Sequence, residues 1–179
     1  MKEVRVRELV LSDLPKLDNL DHNFKTDYVW QLDILSDENE VSVKLREVRL
    51  PREMNVTYPK KLDMLSDNWQ LKANVLVAEI DRETVGYMIL NHDFNPGLIR
   101  VSDLVVTPVF RRKGVGTALL EGGVVWSKMQ TGIKRMMLEI QSKNHPAICL
   151  AGKLGFEFCG YNDKYYYTND VALFFMKLI

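Results

Sequence analysis

The segment Arg111-Arg112-Lys113-Gly114-Val115-Gly116 decides the interpretation of this chain of 179 residues. It follows a predicted strand from Ile99 to Val106, which is ended by Pro108. A helix is predicted to start near Gly114. Apolar or small residues recur there at helical spacing, and they are Val115, Ala118, Leu119, Gly122, Val125, Trp126 and Met129. The segment is therefore a loop between a strand and a helix.

This loop has the features of a phosphate-binding site. The first turn of a helix leaves its N–H groups unpaired and carries partial positive charge, which attracts anions. Gly114 and Gly116 have no Cβ, so a diphosphate can approach the amides of Lys113 to Thr117 closely. The three basic side chains of the segment add charge at the rim. The alternative is a simple chain reversal with a solvated basic run, because short glycine motifs have frequent false positives.

Two better-known phosphate motifs do not fit the loop. No Gly-Lys-Ser or Gly-Lys-Thr follows, which excludes the Walker pattern, and the third residue after Gly116 is not glycine, which excludes the dinucleotide pattern.

The composition is that of an ordinary globular protein, with 46% hydrophobic and 27% charged residues. Lys plus Arg and Asp plus Glu are 24 each, so no overall field draws the chain to nucleic acid or to an anionic membrane. The first ten residues contain no uninterrupted apolar stretch, so we expect neither a signal peptide nor a membrane span, and a cytoplasmic location. The length suits a single domain, 1–179.

Cysteine and histidine usage predicts neither disulfides nor metal. Cys149 and Cys159 do not form a CxxC pattern and lie in a predicted helix and strand, which favours reduced, buried thiols. His22, His92 and His145 are scattered, so no metal site is expected.

Further elements are predicted from periodicity and turn residues. The predicted strands are Val4 to Val10, Val75 to Ile80, Thr84 to Leu90, Arg135 to Ile140, Phe156 to Tyr161 and Val171 to Ile179, with a hairpin of Tyr28 to Leu35 and Val41 to Leu50. The predicted helices are Asp13 to Leu20 with Ser12 as its cap, Tyr58 to Trp69, and Pro146 to Leu154. Interleaved helices and strands predict an α/β or α+β layered sheet.

The loop and its surroundings resemble the GNAT superfamily of N-acyltransferases, whose signature is Arg/Gln-x-x-Gly-x-Gly/Ala between a strand and a helix. Residues 111–116 match it fully and follow the typical Asp103-Leu104-Val105-Val106-Thr107-Pro108. A second family block matches Asn144, Ala147 and Leu154-Gly155-Phe156. The resemblance covers roughly Val75 to Ile179. A narrower likeness to streptothricin acetyltransferases rests on Leu138-Glu139-Ile140-Gln141 and Ala172-Leu173-Phe174-Phe175.

This resemblance implies a mixed, mostly antiparallel sheet flanked by helices and splayed between the strands of Asp103 and Leu138, with acetyl-CoA in the opening. Residues 75–179 would form the acyl-CoA-binding core, and 1–74 the acceptor side. The pantetheine would pair as an added strand, with the Val106 amide facing the thioester carbonyl. The residues implied to bind the cofactor are Leu104, Val105, Val106, Arg111, Arg112, Lys113, Gly114, Val115, Gly116, Thr117 and Asn144.

An acceptor amine attacks a thioester only when unprotonated, and a lysine-like amine has a pKa of about 10.4, so a base is needed. Glu139 lies on the opposite strand face from its apolar neighbours, and related family members carry a base there. Asp103 shares a face with Val101 and Val105 in a regular strand, so it is expected to be partly buried. Either carboxylate could instead satisfy a structural hydrogen bond.

The usual proton donor of the family is missing. The resemblance implies a tyrosine at the position where this chain has Ala151. Tyr165 is our candidate acid, and its alternatives are Tyr161, Tyr166 and Tyr167. A thiol with a pKa near 8.5 can also leave as thiolate, and the tyrosine run can be an aromatic wall.

The acceptor side is acidic between Asp13 and Glu40, which predicts a small cationic amine. The acidic residues there are Asp13, Asp18, Asp21, Asp27, Asp33, Asp37, Glu38 and Glu40. Tyr28 and Trp30 could stack against a cation, although a solvated acidic face over aromatic core residues fits equally. A peptide amine and a non-catalytic acyl-CoA sensor stay as alternatives, as does a homodimer paired through the strand Val171 to Ile179.

Overall fold

The computed structural model describes residues 3–59 and 74–179. Its strands are β1 Arg5–Glu8, β2 Phe24–Ser36, β3 Val41–Val56, β4 Asn74–Ile80, β5 Glu83–His92, β6 Leu98–Val106, β7 Arg135–Gln141, β8 Glu157–Asn162 and β9 Ala172–Leu178. Its helices are α1 Leu14–Asp18, α2 Val115–Lys128 and α3 His145–Lys153. These agree with the predicted elements, and the predicted helix from Tyr58 to Trp69 lies outside the described residues beyond Pro59. No described helix is long and apolar enough to cross a membrane.

The start of α1 differs from the prediction. Residues Leu11–Asp13 form a 3-10 turn, and Asp13, not Ser12, precedes the first residue of the helix. The carboxylate of Asp13 accepts a hydrogen bond from the Val10 N–H at 3.0 Å, which secures the turn before the helix begins.

The described strands other than the β2–β3 hairpin form one sheet in the order β1-β4-β5-β6-β7-β9-β8. All its neighbouring strands are antiparallel except β6 and β7, which are parallel. Their pairing runs from Leu98 with Arg135 to Val101 with Leu138 and goes no further along β6. The two strands therefore diverge beyond Val101, and the predicted splayed sheet is confirmed.

A β-bulge accompanies this divergence. Leu90 of β5 pairs with Val101, whereas Ile89 pairs with Asp103, so Ser102 is an extra residue in β6. One extra residue reverses which side chains face which side of the sheet. Val101 packs in the α2 core, whereas Val105 packs in a second core. The expectation that Asp103 shares a face with Val101 is therefore wrong, while its shared face with Val105 holds.

The two sheet faces bury separate apolar clusters. The α2 face holds the larger core, in which Leu119 and Trp126 pack with Met88 and Met136. Helix α2 approaches the sheet closely at Gly123, where no side chain would fit. A Cβ on Gly123 would lie 2.3 Å from the Met88 Cε. The α1 face holds a smaller core, whose buried members are Leu17, Val75, Val77, Tyr87 and Val105.

The hairpin β2–β3 is a separate two-stranded sheet that contacts the C-terminal half of the chain. The Trp30 N–H donates to the Ser142 carbonyl at 2.9 Å. The Tyr28 ring stacks on His145 with centroids 5.0 Å apart, and His145 Nε2 lies 3.0 Å from the Glu47 carboxylate. Tyr28 therefore packs against His145, and its role in stacking on a cation stays a prediction.

Two further expectations, on the burial of the cysteines and on the open edge of β9, are wrong. Cys149 and Cys159 are free thiols as predicted, but both are exposed, since one lies on the outer side of α3 and the other on the edge strand β8. Strand β9 lies between β7 and β8, so its edges are covered within the chain and are not open for pairing across a dimer.

Asp13 belongs to a buried ion pair and not to an acidic acceptor surface. It is 1% exposed, and its carboxylate accepts hydrogen bonds from Arg7 at 2.6 and 2.9 Å. Arg7 also donates to Glu79 of β4 at 2.5 Å, so the pair joins β1, β4 and the turn before α1. The hydrogen bonds from Arg7 lower the pKa of Asp13 from 3.8 to about 2.

We predict that Asp13→Asn lowers the free energy of unfolding at pH 7 by about 2 kcal/mol, because the depressed pKa reports that much stabilisation of the folded state. This contribution is complete above the unfolded pKa of 3.8 and is lost as the pH falls towards 2. Urea unfolding between pH 2.5 and 7 measures it. Asp33→Asn is the matched control, since its pair with Arg46 is exposed and should contribute less than about 1 kcal/mol. Equal losses in both variants would contradict the prediction.

Candidate active site

A cavity of about 70 Å³ lies where β6 and β7 diverge. It brings together both candidate base residues, Asp103 and Glu139, with the predicted cofactor residue Asn144. The other polar or aromatic residues that line it are Phe24, Tyr58, Ser102, Gln141 and Tyr166. No cluster of three or more metal-ligating side chains occurs among the residues the structure describes.

Asp103 is held by hydroxyl groups. The Tyr58 hydroxyl donates to one carboxylate oxygen, and the Ser102 hydroxyl donates to the other at 2.6 Å. The Ser102 oxygen in turn accepts from the Asn91 amide at 2.9 Å. Burial and the charge of Asp103 raise the pKa of Tyr58 well above its usual value, so this tyrosine remains a hydrogen-bond donor. Both carboxylate oxygens of Asp103 therefore accept hydrogen bonds from protein hydroxyls. This fits the alternative in which the Asp103 carboxylate has a structural role.

Glu139 lies on the α1 side of β7, because Leu138 and Ile140 pack in the opposite core. The predicted position of its side chain is confirmed. The Tyr165 hydroxyl donates to Glu139 Oε2 at 2.9 Å. Burial, followed by the charge of Glu139, raises the pKa values of Tyr165 and Tyr166.

The loop before β9 places both tyrosines beside Glu139. The N–H groups of Tyr165 and Tyr166 donate to the Asp170 carbonyl at 3.1 and 3.3 Å. The Asp170 carboxylate accepts from Gln141 at 2.6 Å and from Thr168 at 2.7 Å. Tyr166 is 6% exposed and lines the cavity, whereas Tyr165 is 37% exposed and contacts Glu139 from outside it. Ala151 is fully buried, so the family's usual acid position lies within the core.

Two residues of this region had no predicted role. His22 Nε2 lies 2.9 Å from the Tyr87 hydroxyl, and the His22 ring lies 5.0 Å from the Tyr58 ring. Burial lowers the pKa of His22, so the ring is neutral at pH 7. No local pattern marks His22 or Tyr58, because their partners are far away in sequence.

The loop 111–116 leads into α2 as predicted, but its two glycines differ. Gly116 faces protein and not an approaching ligand, since a Cβ there would lie 3.0 Å from the Leu150 side chain. Gly114 has a φ of 87° and precedes the first residue of α2. The Ala118 N–H donates to the Gly114 carbonyl at 2.9 Å, so the N–H groups of Val115, Gly116 and Thr117 precede the first helical hydrogen bond. A Cβ on Gly114 would meet no described atom within 4 Å, so the space beside Gly114 is open.

The basic residues of the loop differ from one another. Arg112 and Lys113 are exposed, as predicted for charges at the rim, and the Lys113 ammonium lies 5.1 Å from the Phe110 ring centroid. Arg111 turns away, since its guanidinium donates to the carbonyls of Val106, Asp21 and Asn23. The expectation that the Arg111 side chain offers charge at the rim is therefore wrong.

The edge of β6 presents backbone groups to the cavity. The Thr107 N–H donates to the Val85 carbonyl at 2.9 Å. Antiparallel pairing alternates, so the N–H groups of Leu104 and Val106 point away from β5 and towards the divergence. Val105 points its backbone groups at β5 and its side chain into the α1 core, so it does not present backbone groups to the opening.

Asn144 caps α3. Its Oδ1 accepts from the Ala147 N–H at 3.2 Å, and the residue also lines the cavity. This contact satisfies one of the unpaired N–H groups of the first turn.

The acetyltransferase (GNAT) family model matches residues 34–156. This chain belongs to the GNAT family of acetyltransferases. An N-alpha-acetyltransferase of Sulfurisphaera tokodaii is 31% identical to this GNAT protein in an alignment of 133 residues that covers 69% of this chain and 76% of the relative. A streptothricin acetyltransferase of Streptomyces lavendulae is 26% identical in an alignment of 161 residues that covers 86% of this chain and 82% of the relative.

Solved GNAT structures share the fold. A nourseothricin acetyltransferase superposes with a TM-score of 0.83 at 24% identity over 98% of both chains. A putative streptothricin acetyltransferase from Bacillus anthracis strain Ames, in complex with acetyl coenzyme A, superposes with a TM-score of 0.76 at 20% identity, and the match covers 99% of this chain and all of that one. This GNAT protein is an acetyl-CoA-dependent acyltransferase. The open amides after Gly114 and the free edge of β6 fit the diphosphate and the pantetheine amides of that molecule.

We predict that Gly114→Glu abolishes binding of coenzyme A, with a loss in affinity of at least about 100-fold, because it would place a negative charge in the open space beside Gly114, next to the first N–H groups of α2. Calorimetric titration with coenzyme A measures this. Gly114→Ala is the matched control, since it imposes the same cost of a positive φ without the charge and should lose no more than about tenfold. Unchanged affinity in Gly114→Glu would reject the placement.

Proposed function

We propose that this GNAT enzyme transfers an acetyl group to a primary amine of a small cationic molecule, such as a polyamine or a streptothricin-like antibiotic. The observation that carries the proposal is the position of two carboxylates. Asp103 and Glu139 lie on the same face of diverging strands and line one cavity. An ammonium group is attracted to such a pair.

Aromatic side chains complete the acceptor side of the cavity. Phe24 and Tyr58 come from the N-terminal part of the chain, and Tyr166 comes from the loop before β9. Such rings attract a cation at their faces. Phe24 and Tyr58 support our assignment of residues 1–74 to the acceptor side, and Tyr166 adds a ring from residues 75–179.

Glu139 is the base in this proposal. Acetyl-CoA, when bound, supplies the acetyl group as a thioester. The protein must remove a proton from the ammonium first, and Glu139 lines the cavity on the strand face opposite to its apolar neighbours Leu138 and Ile140. Asp103 would orient the amine together with Tyr58. The Val106 N–H, which faces the divergence, would polarise the thioester carbonyl.

The proton for the leaving thiol has two candidate donors beside Glu139. Tyr165 is the predicted acid, and it bonds to Glu139 directly. Tyr166 lines the cavity more closely, because it is nearly buried there. Departure as thiolate needs neither hydroxyl, because a thiol pKa near 8.5 is modest.

A peptide N-terminal amine is the second candidate acceptor. The 31% identity to an N-alpha-acetyltransferase favours it. The bond from Trp30 to Ser142 and the stack of Tyr28 on His145 hold the hairpin β2–β3 against the strand end where β7 meets α3. A hairpin in this position limits the space for an extended peptide, which favours the small molecule.

We predict that thiol release from acetyl-CoA is fastest with a compact polycation such as spermidine or a streptothricin-class amine. Detection with a thiol reagent measures it, and a short peptide with a free N-terminus is the matched comparison. A kcat/KM higher for the peptide by about tenfold or more would transfer the assignment to the second candidate. Binding of acetyl-CoA without thiol release for any amine would refute both.

We also predict that Glu139→Gln lowers kcat by about 100-fold at pH 7 and leaves coenzyme A affinity unchanged, because only the base is removed. The defect should shrink as the pH approaches 10, where amines with a pKa of about 10.4 lose their proton without help. A pH–rate profile measures this. Glu157→Gln on the exposed strand β8 is the matched control. Wild-type kcat in Glu139→Gln would make Asp103 the remaining candidate base.

A further inference from the structure

The guanidinium of Arg111 binds three backbone carbonyls. Its Nε donates to the Val106 carbonyl at 2.8 Å, and one terminal nitrogen donates to Asn23 at 2.7 Å and to Asp21 at 3.2 Å. Val106 ends β6, whereas Asp21 and Asn23 precede β2. The first residue of the cofactor signature therefore joins the cofactor strand to a distant N-terminal segment.

That N-terminal segment also positions Tyr58. The Asn23 Oδ1 accepts the Tyr58 N–H at 3.1 Å, and the Tyr58 hydroxyl donates to Asp103. A chain of hydrogen bonds thus runs from Arg111 through Asn23 and Tyr58 to a carboxylate that lines the cavity. Arg112 and Lys113 make no such link among the described residues, and both are exposed.

The burial and the hydrogen bonds of the Arg111 guanidinium fit a residue that holds two segments together better than one that contacts an anion. Burial lowers the pKa of Arg111, which shows that its charge is partly removed from water. The hydrogen-bond partners of its guanidinium are three backbone carbonyls, and such an arrangement uses the fork of guanidinium donors to fix backbone positions. One of those positions is the Val106 carbonyl, and the N–H of the same residue would polarise the thioester.

We propose that Arg111 is a positioning residue for the acceptor side, which holds Tyr58 and Asp103 in register with the cofactor strand, whereas the exposed Arg112 stays available to an anion at the loop. The inference rests on the proposed amine acetylation. Loss of Arg111 would therefore affect amine binding more than cofactor binding, and loss of Arg112 would do the reverse.

The test compares Arg111→Met with Arg112→Met, which remove the same group from adjacent residues. We expect Arg111→Met to raise the KM for the amine about tenfold and the Kd for coenzyme A less than about threefold. We expect Arg112→Met to raise the Kd about fivefold with the KM for the amine nearly unchanged. A larger rise in Kd for Arg111→Met than for Arg112→Met, with an unaltered KM for the amine, would overturn the proposal.

A second variant separates positioning from folding. Asn23→Ala removes the acceptor of the Tyr58 N–H but keeps the carbonyl that binds Arg111. It should raise the KM for the amine by a similar factor, and the double variant Arg111→Met/Asn23→Ala should show less than the product of the two effects. An unchanged KM in Asn23→Ala would overturn the link, even if Arg111→Met fails to fold.

Hydrogen exchange gives a readout that does not depend on catalysis. In Arg111→Met the amide of Tyr58 should exchange at least about tenfold faster than in the wild type, whereas Arg112→Met should leave it unchanged. Equal exchange in the two variants would refute the positioning role. If the wild type acetylates no amine, the proposed function fails, but this comparison still decides what Arg111 does.

Discussion

The site depends on one constraint of sheet geometry, which is that β6 and β7 stop pairing after Val101. Strands in a continuous sheet satisfy one another's backbone groups, so a cofactor could not add itself between them. The bulge at Ser102 increases the local bend and twist at the point of separation. Beyond it, the N–H groups of Leu104 and Val106 face a gap that an extended ligand can fill.

The same bulge determines which side chains of β6 point to each face of the sheet. Above it, Leu104 and Val106 turn towards the α2 core, whereas Asp103 and Val105 turn towards the α1 core. The cofactor and the acceptor could therefore approach the gap between β6 and β7 from opposite faces of the sheet. Glu139 lies on the α1 face of β7 for the same reason of strand alternation. In the proposed reaction, the two reactants would meet between the strands.

Local patterns predicted the elements and the cofactor loop, because glycine positions and helical spacing are local properties. The position of Glu139 was also predictable, since alternation along a short strand is local. The face shared by Asp103 and Val101 was not, because nothing in the residues marks the extra residue of a bulge. The contacts of Arg111, His22 and Tyr58 depend on partners brought together only by the complete fold. Long-range contacts of this kind leave no periodic signal.

Among the strands that the structure describes, the hairpin β2–β3 pairs with none of the main sheet. Its base reaches the cavity through Phe24, while apolar residues at its tip, such as Leu35 and Val41, are exposed. A change of length or composition in this ribbon leaves the hydrogen-bond ladder of the catalytic sheet intact. The exposed tip can therefore vary in sequence and length, while Trp30 and Leu45 keep the rest of the ribbon packed against the larger core.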